Sequence, residues 1–530
     1  MAAAMLTPAE VWQRPSIRHL FAEQGRLADG ILWTYYAEAL AQKLSERSAS
    51  QLSPYPLLLV CDRHPVRTAA AFWAALLAGW EVALTNPDWG RAEWQSVSQL
   101  LHPRLWLMEP DNNHFLSHWN YPIEPIAEAD SLFGQRLFAA TGSGGKGDSD
   151  ASVPTVHKSI PSVHKAQTLR ILIPTGGSSG QVKFVCHSWT SLMASVEGFC
   201  KFFQTRSEQS EQGETLHARS IKSFCVLPVY HVSGLMQVLR AAASGGKILF
   251  APFCQLAATM PPLVEPRGWF ISLVPTQLTR LIQANKAPWL SGFQAVLLGG
   301  APAWPDLLAQ ARKHRIPVCL SYGMTETAAM VTALSPQAFL EGCTSSGWPM
   351  PHAKVRIEQA GRSMPTGQLG QVVIFSGAIA QGYYPLDSSI FTDSTFYTDD
   401  MGYFSADGQL HLTGRLSNKI ISGGENIFPA EVEAALRATG QVADVCVLGL
   451  PHPDWGEAVT AAYVPSSTEV SPASLKIALS QNADSQSPQQ SPPLSRYKHP
   501  KQWFALSSLP RNAQGKINRA ALLHYLESQV

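Results

Sequence analysis

The stretch Ile171-Leu-Ile-Pro-Thr-Gly-Gly-Ser-Ser-Gly-Gln-Val-Lys183 is an apolar run that breaks into a loop of small and hydroxyl residues, with one lysine at its far end. Small side chains let backbone N–H groups close around a phosphate. Here Gly176, Gly177 and Gly180 leave room, Thr175, Ser178 and Ser179 add hydroxyls, and Lys183 adds a charge. The loop lacks the Gly-Lys-Ser/Thr of a Walker motif. Taken alone, it reads equally as an ordinary turn after a strand.

Outward from this loop, short apolar runs alternate with helical patterns. Tyr55–Val60, Ser223–Leu227, Lys247–Phe250, Phe270–Val274 and Ala295–Leu298 are strand candidates, and a small-residue helix is expected over Val66–Ala78. That rhythm predicts an α/β architecture with largely parallel sheets. From Lys354 the pattern turns strand-rich, and after Arg415 strand and helix resume, with Pro429 in the first turn of a helix. A domain boundary is expected near Gly414–Ser417, giving an N-terminal domain over 1–415 and a C-terminal domain over 416–530. Three polar stretches, 141–167, 205–217 and 481–495, read as flexible insertions.

The chain has 530 residues, 45% of them hydrophobic and 15% charged, with a formal net charge of +1. It can therefore bury a large core, and its bulk charge offers no reason to bind nucleic acid or an anionic membrane. The longest apolar run, Ala69–Trp80, falls short of the ~20 residues that cross a bilayer. The N-terminus has no basic segment leading into an apolar core, so secretion is not expected. Eight scattered cysteines without Cys-x-x-Cys spacing fit buried thiols in a reducing cytoplasm.

Other segments carry candidate chemistry. In Cys319-Leu-Ser-Tyr-Gly-Met-Thr-Glu-Thr327, Glu326 offers the hard oxygen that Mg²⁺ prefers, although a helix N-terminus capped by Thr325 reads as well. In Tyr397-Thr-Asp-Asp-Met-Gly402, the Asp400 carboxylate could accept a ribose diol, while Asp407-Gly408 marks a hairpin turn. Ile420-Ile-Ser-Gly-Gly-Glu-Asn-Ile427 bends at Gly423-Gly424, and Lys516 sits in the polar loop Pro510–Arg519.

Together with Leu227-Pro-Val-Tyr-His231, Leu298-Gly-Gly-Ala-Pro302 and Trp455-Gly-Glu457, these segments resemble, in order, the adenylate-forming superfamily of acyl-CoA synthetases, luciferases and peptide-synthetase adenylation domains. Leu227–Leu235 and Ser422–Glu431 are most similar to its o-succinylbenzoate–CoA ligase branch, which serves menaquinone and phylloquinone synthesis. The resemblance implies a large N-terminal domain of mixed and parallel sheets layered with helices, plus a β-barrel-like part. A small mobile α+β C-terminal domain follows.

It also implies a cytoplasmic ligase that uses ATP, Mg²⁺ and CoA with a small carboxylic acid, with no nucleic-acid partner and the oligomeric state left open. By the same carry-over, Thr175, Ser178, Ser179 and Lys183 cradle the β- and γ-phosphates, and Glu326 binds Mg²⁺ with Thr325 at the α-phosphate. Gly300, Ala301, Tyr322 and Gly323 border the adenine, and Asp400 with Arg415 holds the ribose. Lys516 bridges the carboxylate and α-phosphate, and Gly423 and Gly424 line the pantetheine tunnel. His231 and Ser233 border the acyl pocket, and Arg240, nine residues beyond that histidine, meets a substrate carboxylate. A surface arginine at a helix end is the alternative for Arg240.

Three departures from the family pattern stand out. The phosphate loop lacks Pro before Lys183 and Gly after it. Asp399 replaces a customary Gly, which is expected to bring an extra carboxylate near the nucleotide. Ser417 occupies the customary hinge in place of Asp or Lys. A ligase for another aryl or medium-chain carboxylate, or a catalytically silent nucleotide-binding regulator, stays open on the sequence.

Overall fold

A computed structural model describes residues 6–14, 16–17, 20, 28–48, 56–108, 124–125, 169–176, 182–205, 220–258, 265–385, 390–392, 394–422, 425–481, 494–511 and 517–529. Strands such as Leu57–Cys61 and Ala295–Leu298 are buried along their whole length, as expected where helices cover both faces of a parallel sheet. Two seven-stranded sheets result. In the first, Glu81–Leu84, Leu57–Cys61, Leu105–Met108 and Glu124–Pro125 run parallel. Ile171–Gly176 joins them in parallel, then pairs antiparallel with Val182–His187, which pairs in turn with Gly382–Tyr384. In the second, five parallel strands from Lys247–Phe250 to Val318–Met324 are extended by antiparallel Ala329–Ala333 and Trp348–Pro349.

The largest core draws side chains from both sheets, Leu58, Val60 and Val82 from one and Cys225 and Ile248 from the other. The helices Pro65–Ala78, Trp189–Thr205 and Val232–Ser244 contribute to this shared core. Pro65–Ala78 is buried on every side from Thr68 to Leu76, which explains its run of alanines: bulkier residues would hold the layers apart. Trp12, Trp33, Trp73 and Trp189 pack edge-on or tilted at one end of this layer.

A third, antiparallel sheet is built on Ala353–Gln359, Gly370–Ser376, Thr395–Phe404 and Leu410–Arg415. The last two form a hairpin across the Asp407-Gly408 turn, as the sequence predicts. A fourth sheet begins at Ile420 and has its own core around Val432, Val445, Val459 and Leu475. Its helix Pro429–Ala438 opens on the expected proline.

Two expectations need correction. The polar stretches at 205–217 and 481–495 are narrower than predicted, because Thr205 ends a helix, Gln481 ends another, and Leu494 packs on the fourth sheet's core. The remainder of both, and 141–167, lie outside the described residues. All eight cysteines are free, but Cys254 is exposed and Cys200 and Cys343 are half-buried. Among the described residues no helix is long and apolar enough to cross a membrane.

Gly347 couples the second and third sheets. Its φ is +78°, its carbonyl accepts from the Leu410 N–H (2.8 Å), and a Cβ there would lie 2.0 Å from the Ala333 backbone. Gly361 has φ +74° with nothing within 4 Å of its would-be Cβ. Gly361→Ala should therefore cost about 1 kcal/mol from φ alone, and Gly347→Ala at least ~2 kcal/mol more, read as the difference between their unfolding midpoints. Equal losses would show that the close approach is not tight.

Candidate functional site

In open α/β sheets ligands usually lie beyond the carboxyl ends of the parallel strands. Past Leu298 the chain bends at Gly299 and Gly300, leaving Gly300 and Ala301 exposed. One strand over, the Tyr322 hydroxyl donates to Asp400 Oδ2 at 2.7 Å, a buried bond between the second and third sheets. Arg415 Nε donates to Asp400 Oδ1 at 3.0 Å, because the two residues are direct partners across their hairpin. Burial, reinforced by the Asp400 carboxylate, holds the Tyr322 phenol well above its usual range, so it stays a donor. Each Asp400 oxygen keeps a lone pair beyond these two bonds. Asp400 and Arg415 are thus paired, and Tyr322, expected beside the adenine, hydrogen-bonds to the same carboxylate.

Past Met324 the chain makes a short 3₁₀ turn, Thr325–Thr327, rather than the helix N-terminus offered as one reading. Ala328 and Ala329 follow with φ of +50° and +79°, a left-handed pair without glycine. The Thr327 hydroxyl accepts from the Met324 N–H (3.1 Å) and donates to the Ala329 carbonyl (2.7 Å). The Ser195 hydroxyl donates to the Ala328 carbonyl at 2.7 Å. His187 Nε2 lies 2.6 Å from the Thr325 carbonyl; a carbonyl only accepts, so that nitrogen carries the ring proton. Burial lowers the His187 pKa to about 4, and the ring is neutral.

Glu326, the middle residue of this turn, is buried, and its Oε1 accepts from the Tyr383 hydroxyl at 2.6 Å. Burial, then the neighbouring carboxylate, pushes the Tyr383 phenol up and keeps it protonated. Lys183 lies over the same ring, 5.3 Å from its centre, and stands opposite Thr175 in an antiparallel pair. The glycine-rich segment therefore joins two strands of a hairpin. No group of three or more metal-ligating side chains occurs among the described residues, so an ion held by Glu326 would need its other ligands from phosphate and water.

His231 is the N-cap of the helix Val232–Ser244, its ring edge-on to Tyr230. The spacing Pro228–Gly234 has a steric reason, since a Cβ at Gly234 would lie 2.1 Å from the Pro228 carbonyl oxygen. Ser233 is half-buried, and its carbonyl accepts from the Gln237 amide at 2.9 Å. Arg240 is 3% exposed in the middle of the layered core, which rules out the surface alternative. Its guanidinium lies 4.0 Å over the Phe199 ring, and its Nε and Nη2 have no hydrogen-bond partner. Burial lowers its pKa to about 10.

Asp399 corrects an expectation. Side chains alternate along Thr395–Phe404, so Thr398 and Asp400 are buried while Asp399 faces outward. Its carboxylate accepts from the Ser417 N–H (3.0 Å) and the Ser417 hydroxyl instead of adding charge beside Asp400. Gly177, Ser178, Ser179, Gly180, Gly423, Gly424 and Lys516 lie outside the described residues. Near Lys516, Arg511 and Ile517 form an antiparallel bridge. Glu457 Oε2 accepts from the Ile421 N–H at 2.6 Å, beside the Gly-Gly bend. Sequence reasoning missed His187 and Tyr383; a Gly-Tyr-Tyr-Pro segment close to the strand-rich region was the available signal for the second.

Comparison with known proteins agrees with this geometry. The model described as AMP-binding enzyme matches residues 36–384, and the AMP-binding enzyme C-terminal domain matches 431–516. A 2-succinylbenzoate–CoA ligase of Enterococcus faecalis is 34% identical over 366 residues, 68% of this chain and 70% of that protein. One from Bacillus licheniformis is 30% identical over 377 residues, 70% of this chain and 73% of that protein. The o-succinylbenzoate CoA synthetase of Bacillus subtilis, solved with its acyl-adenylate intermediate, superposes with a TM-score of 0.71 at 24% identity over 92% of both chains. ATP-bound MatB of Rhodopseudomonas palustris gives 0.72 at 21% identity over 93% of both. These two likenesses establish the adenylate-forming fold. With the family model spanning most of the chain and relatives at 30% and 34% identity covered over two thirds of their length, the chain belongs to the AMP-binding enzyme family, among its 2-succinylbenzoate–CoA ligases, and is an AMP-forming acid–thiol ligase.

Proposed function

We propose that this enzyme joins o-succinylbenzoate to CoA in two half-reactions, as a cytoplasmic step of quinone synthesis. A substrate carboxylate oxygen attacks the α-phosphorus of ATP, the bond to the bridging oxygen breaks, and pyrophosphate leaves. The CoA sulfur then attacks the acyl carbon, and AMP departs with the electron pair. The observation that carries the choice of acid is Arg240. Its Nε and Nη2, both unpartnered, form the side-on fork that matches a carboxylate, and they are buried where a monoacid would leave them unpaired.

The residues take the following parts. Asp400, aimed by Tyr322 and Arg415, accepts the ribose hydroxyls. Gly300, Ala301 and Gly323 border the adenine. Thr175, Gly176 to Gly180 and Lys183 gather the leaving phosphates, and Thr325 donates to the α-phosphate. A bound Mg²⁺ neutralises phosphate charge, with Glu326 as its protein ligand. His231 and Ser233 border the acid. Lys516 supplies the positive charge between carboxylate and α-phosphate. For the second half-reaction the small domain, 416–530, pivots at Ser417, bringing Gly423 and Gly424 to the pantetheine arm. The Asp399–Ser417 pair anchors the fixed side of that pivot. Free thiols throughout support a reducing compartment.

The test is thioester formation with MgATP, CoA and a panel of o-succinylbenzoate, benzoate, 4-coumarate, acetate and octanoate. We expect kcat/KM for o-succinylbenzoate to exceed the others by at least ~10-fold, since a missing partner for a buried charged group costs about 1.5–3 kcal/mol or more. Arg240→Met should remove most of that preference. Comparable turnover of a monocarboxylate would discard the dicarboxylate, and ATP binding without any turnover would favour a regulator. Lys516→Ala should lower acid-dependent ATP–pyrophosphate exchange about 10²–10³-fold, while thioester formation from supplied acyl-adenylate stays near wild type. Equal loss in both assays would remove Lys516 from the adenylation step alone.

A further inference from the structure

Arg240 is not the only partnerless polar group in its part of the core. Both ring nitrogens of His352 are buried without a hydrogen-bond partner, the Met330 backbone lying near the ring without closing a well-formed bond. The ring rests on Gly198, where a Cβ would lie 1.8 Å from Nδ1 and 2.4 Å from Cγ. Glycine inside a helix costs about 1 kcal/mol relative to alanine, and here the imidazole is the group that requires it. The next residue, Phe199, carries the Arg240 guanidinium on its ring face. Imidazole and guanidinium therefore pack on two consecutive residues of the helix Trp189–Thr205, near enough for the Arg240 charge to act on the ring.

The His352 backbone is fixed, because its carbonyl accepts from the Ser376 hydroxyl at 2.7 Å. Cys200, whose thiol acts on the guanidinium, adds no counter-charge, since burial pushes it up to about 11. Burial first, and the Arg240 charge second, hold the His352 pKa at about 4, so the ring is neutral at pH 7 with one N–H to donate. Such groups are costly to bury unless something pairs with them. An apolar acyl chain would leave all of these donors unmet. A carboxylate has two oxygens for the arginine fork and spare lone pairs for a third donor.

We propose that His352 is a second specificity-determining residue of the acyl pocket, donating to the substrate carboxylate that is not activated while Arg240 holds it, with Gly198 providing the space for its ring. This rests on the dicarboxylate reading above. The test uses full-length enzyme with o-succinylbenzoate and two monoacids that each lack one of its carboxylates, 4-oxo-4-phenylbutanoate and 2-propanoylbenzoate. His352→Met, whose flexible side chain adapts to the space, should raise KM for o-succinylbenzoate about 10-fold. It should leave KM for ATP, and for whichever monoacid turns over, within about twofold. His352→Gln, which keeps an amide donor, should recover most of the loss. If His352→Met fails to fold, His352→Leu and His352→Gln are compared in the same way. An equal change for diacid and monoacid, or none, overturns the proposal. Should wild type not prefer the diacid, the dicarboxylate reading itself fails. Should Arg240→Met erase a preference that the His352 variants keep, that reading stands and this proposal falls.

Discussion

The turn from Thr325 to Ala329 is the constraint on which the site depends. Two successive alanines in the left-handed region cost about 1–2 kcal/mol each, so the turn persists only because its surroundings hold it. Those holds come from separate parts of the chain. His187 and Tyr383 reach in from the first sheet, Ser195 from the helix beneath, and Thr327 from within the turn. The Ala380 N–H also donates to the Glu326 carbonyl at 2.9 Å. The strained segment thus sits where independently built layers converge, and Glu326 is placed both by bonds to the turn's backbone and by the Tyr383 hydroxyl on its carboxylate.

The same convergence explains the electrostatics. Asp400 is buried next to a phenol that burial and the carboxylate together keep protonated, and beside a guanidinium from its hairpin partner. It is a preorganised acceptor with lone pairs to spare. Arg240 is the opposite case, a cation deep in the core with its fork unmet. One group has its partners within the fold, whereas the other keeps a fork of buried donors without any.

Much of this was legible in the sequence. The strands at Leu57–Cys61 and Ala295–Leu298 follow from continuous apolar runs, and the hairpin that pairs Asp400 with Arg415 follows from Asp407-Gly408. The partners of His187 and Tyr383 were not legible, because each acts across elements far apart in the chain; the Gly-Tyr-Tyr-Pro segment marks Tyr383 but not Glu326. The outward face of Asp399 could have been read from the two-residue alternation with Thr398 and Asp400. The burial of Arg240 was ambiguous, since an arginine in an apolar helix is compatible with a surface end until the layers on both sides are known. His352 and Gly198, 154 positions apart by their numbers, make sense only in contact.

The central claim is that the Asp400 carboxylate, aimed by Tyr322 and Arg415, is the receptor for the ribose diol. Equilibrium binding of ATP, 2′-deoxy-ATP and 3′-deoxy-ATP to the wild-type enzyme and to Asp400→Ala tests it most directly. The wild type should bind at least one deoxynucleotide about 10-fold or more weakly than ATP, and Asp400→Ala should bind all three alike. Wild-type discrimination retained in Asp400→Ala would contradict the account.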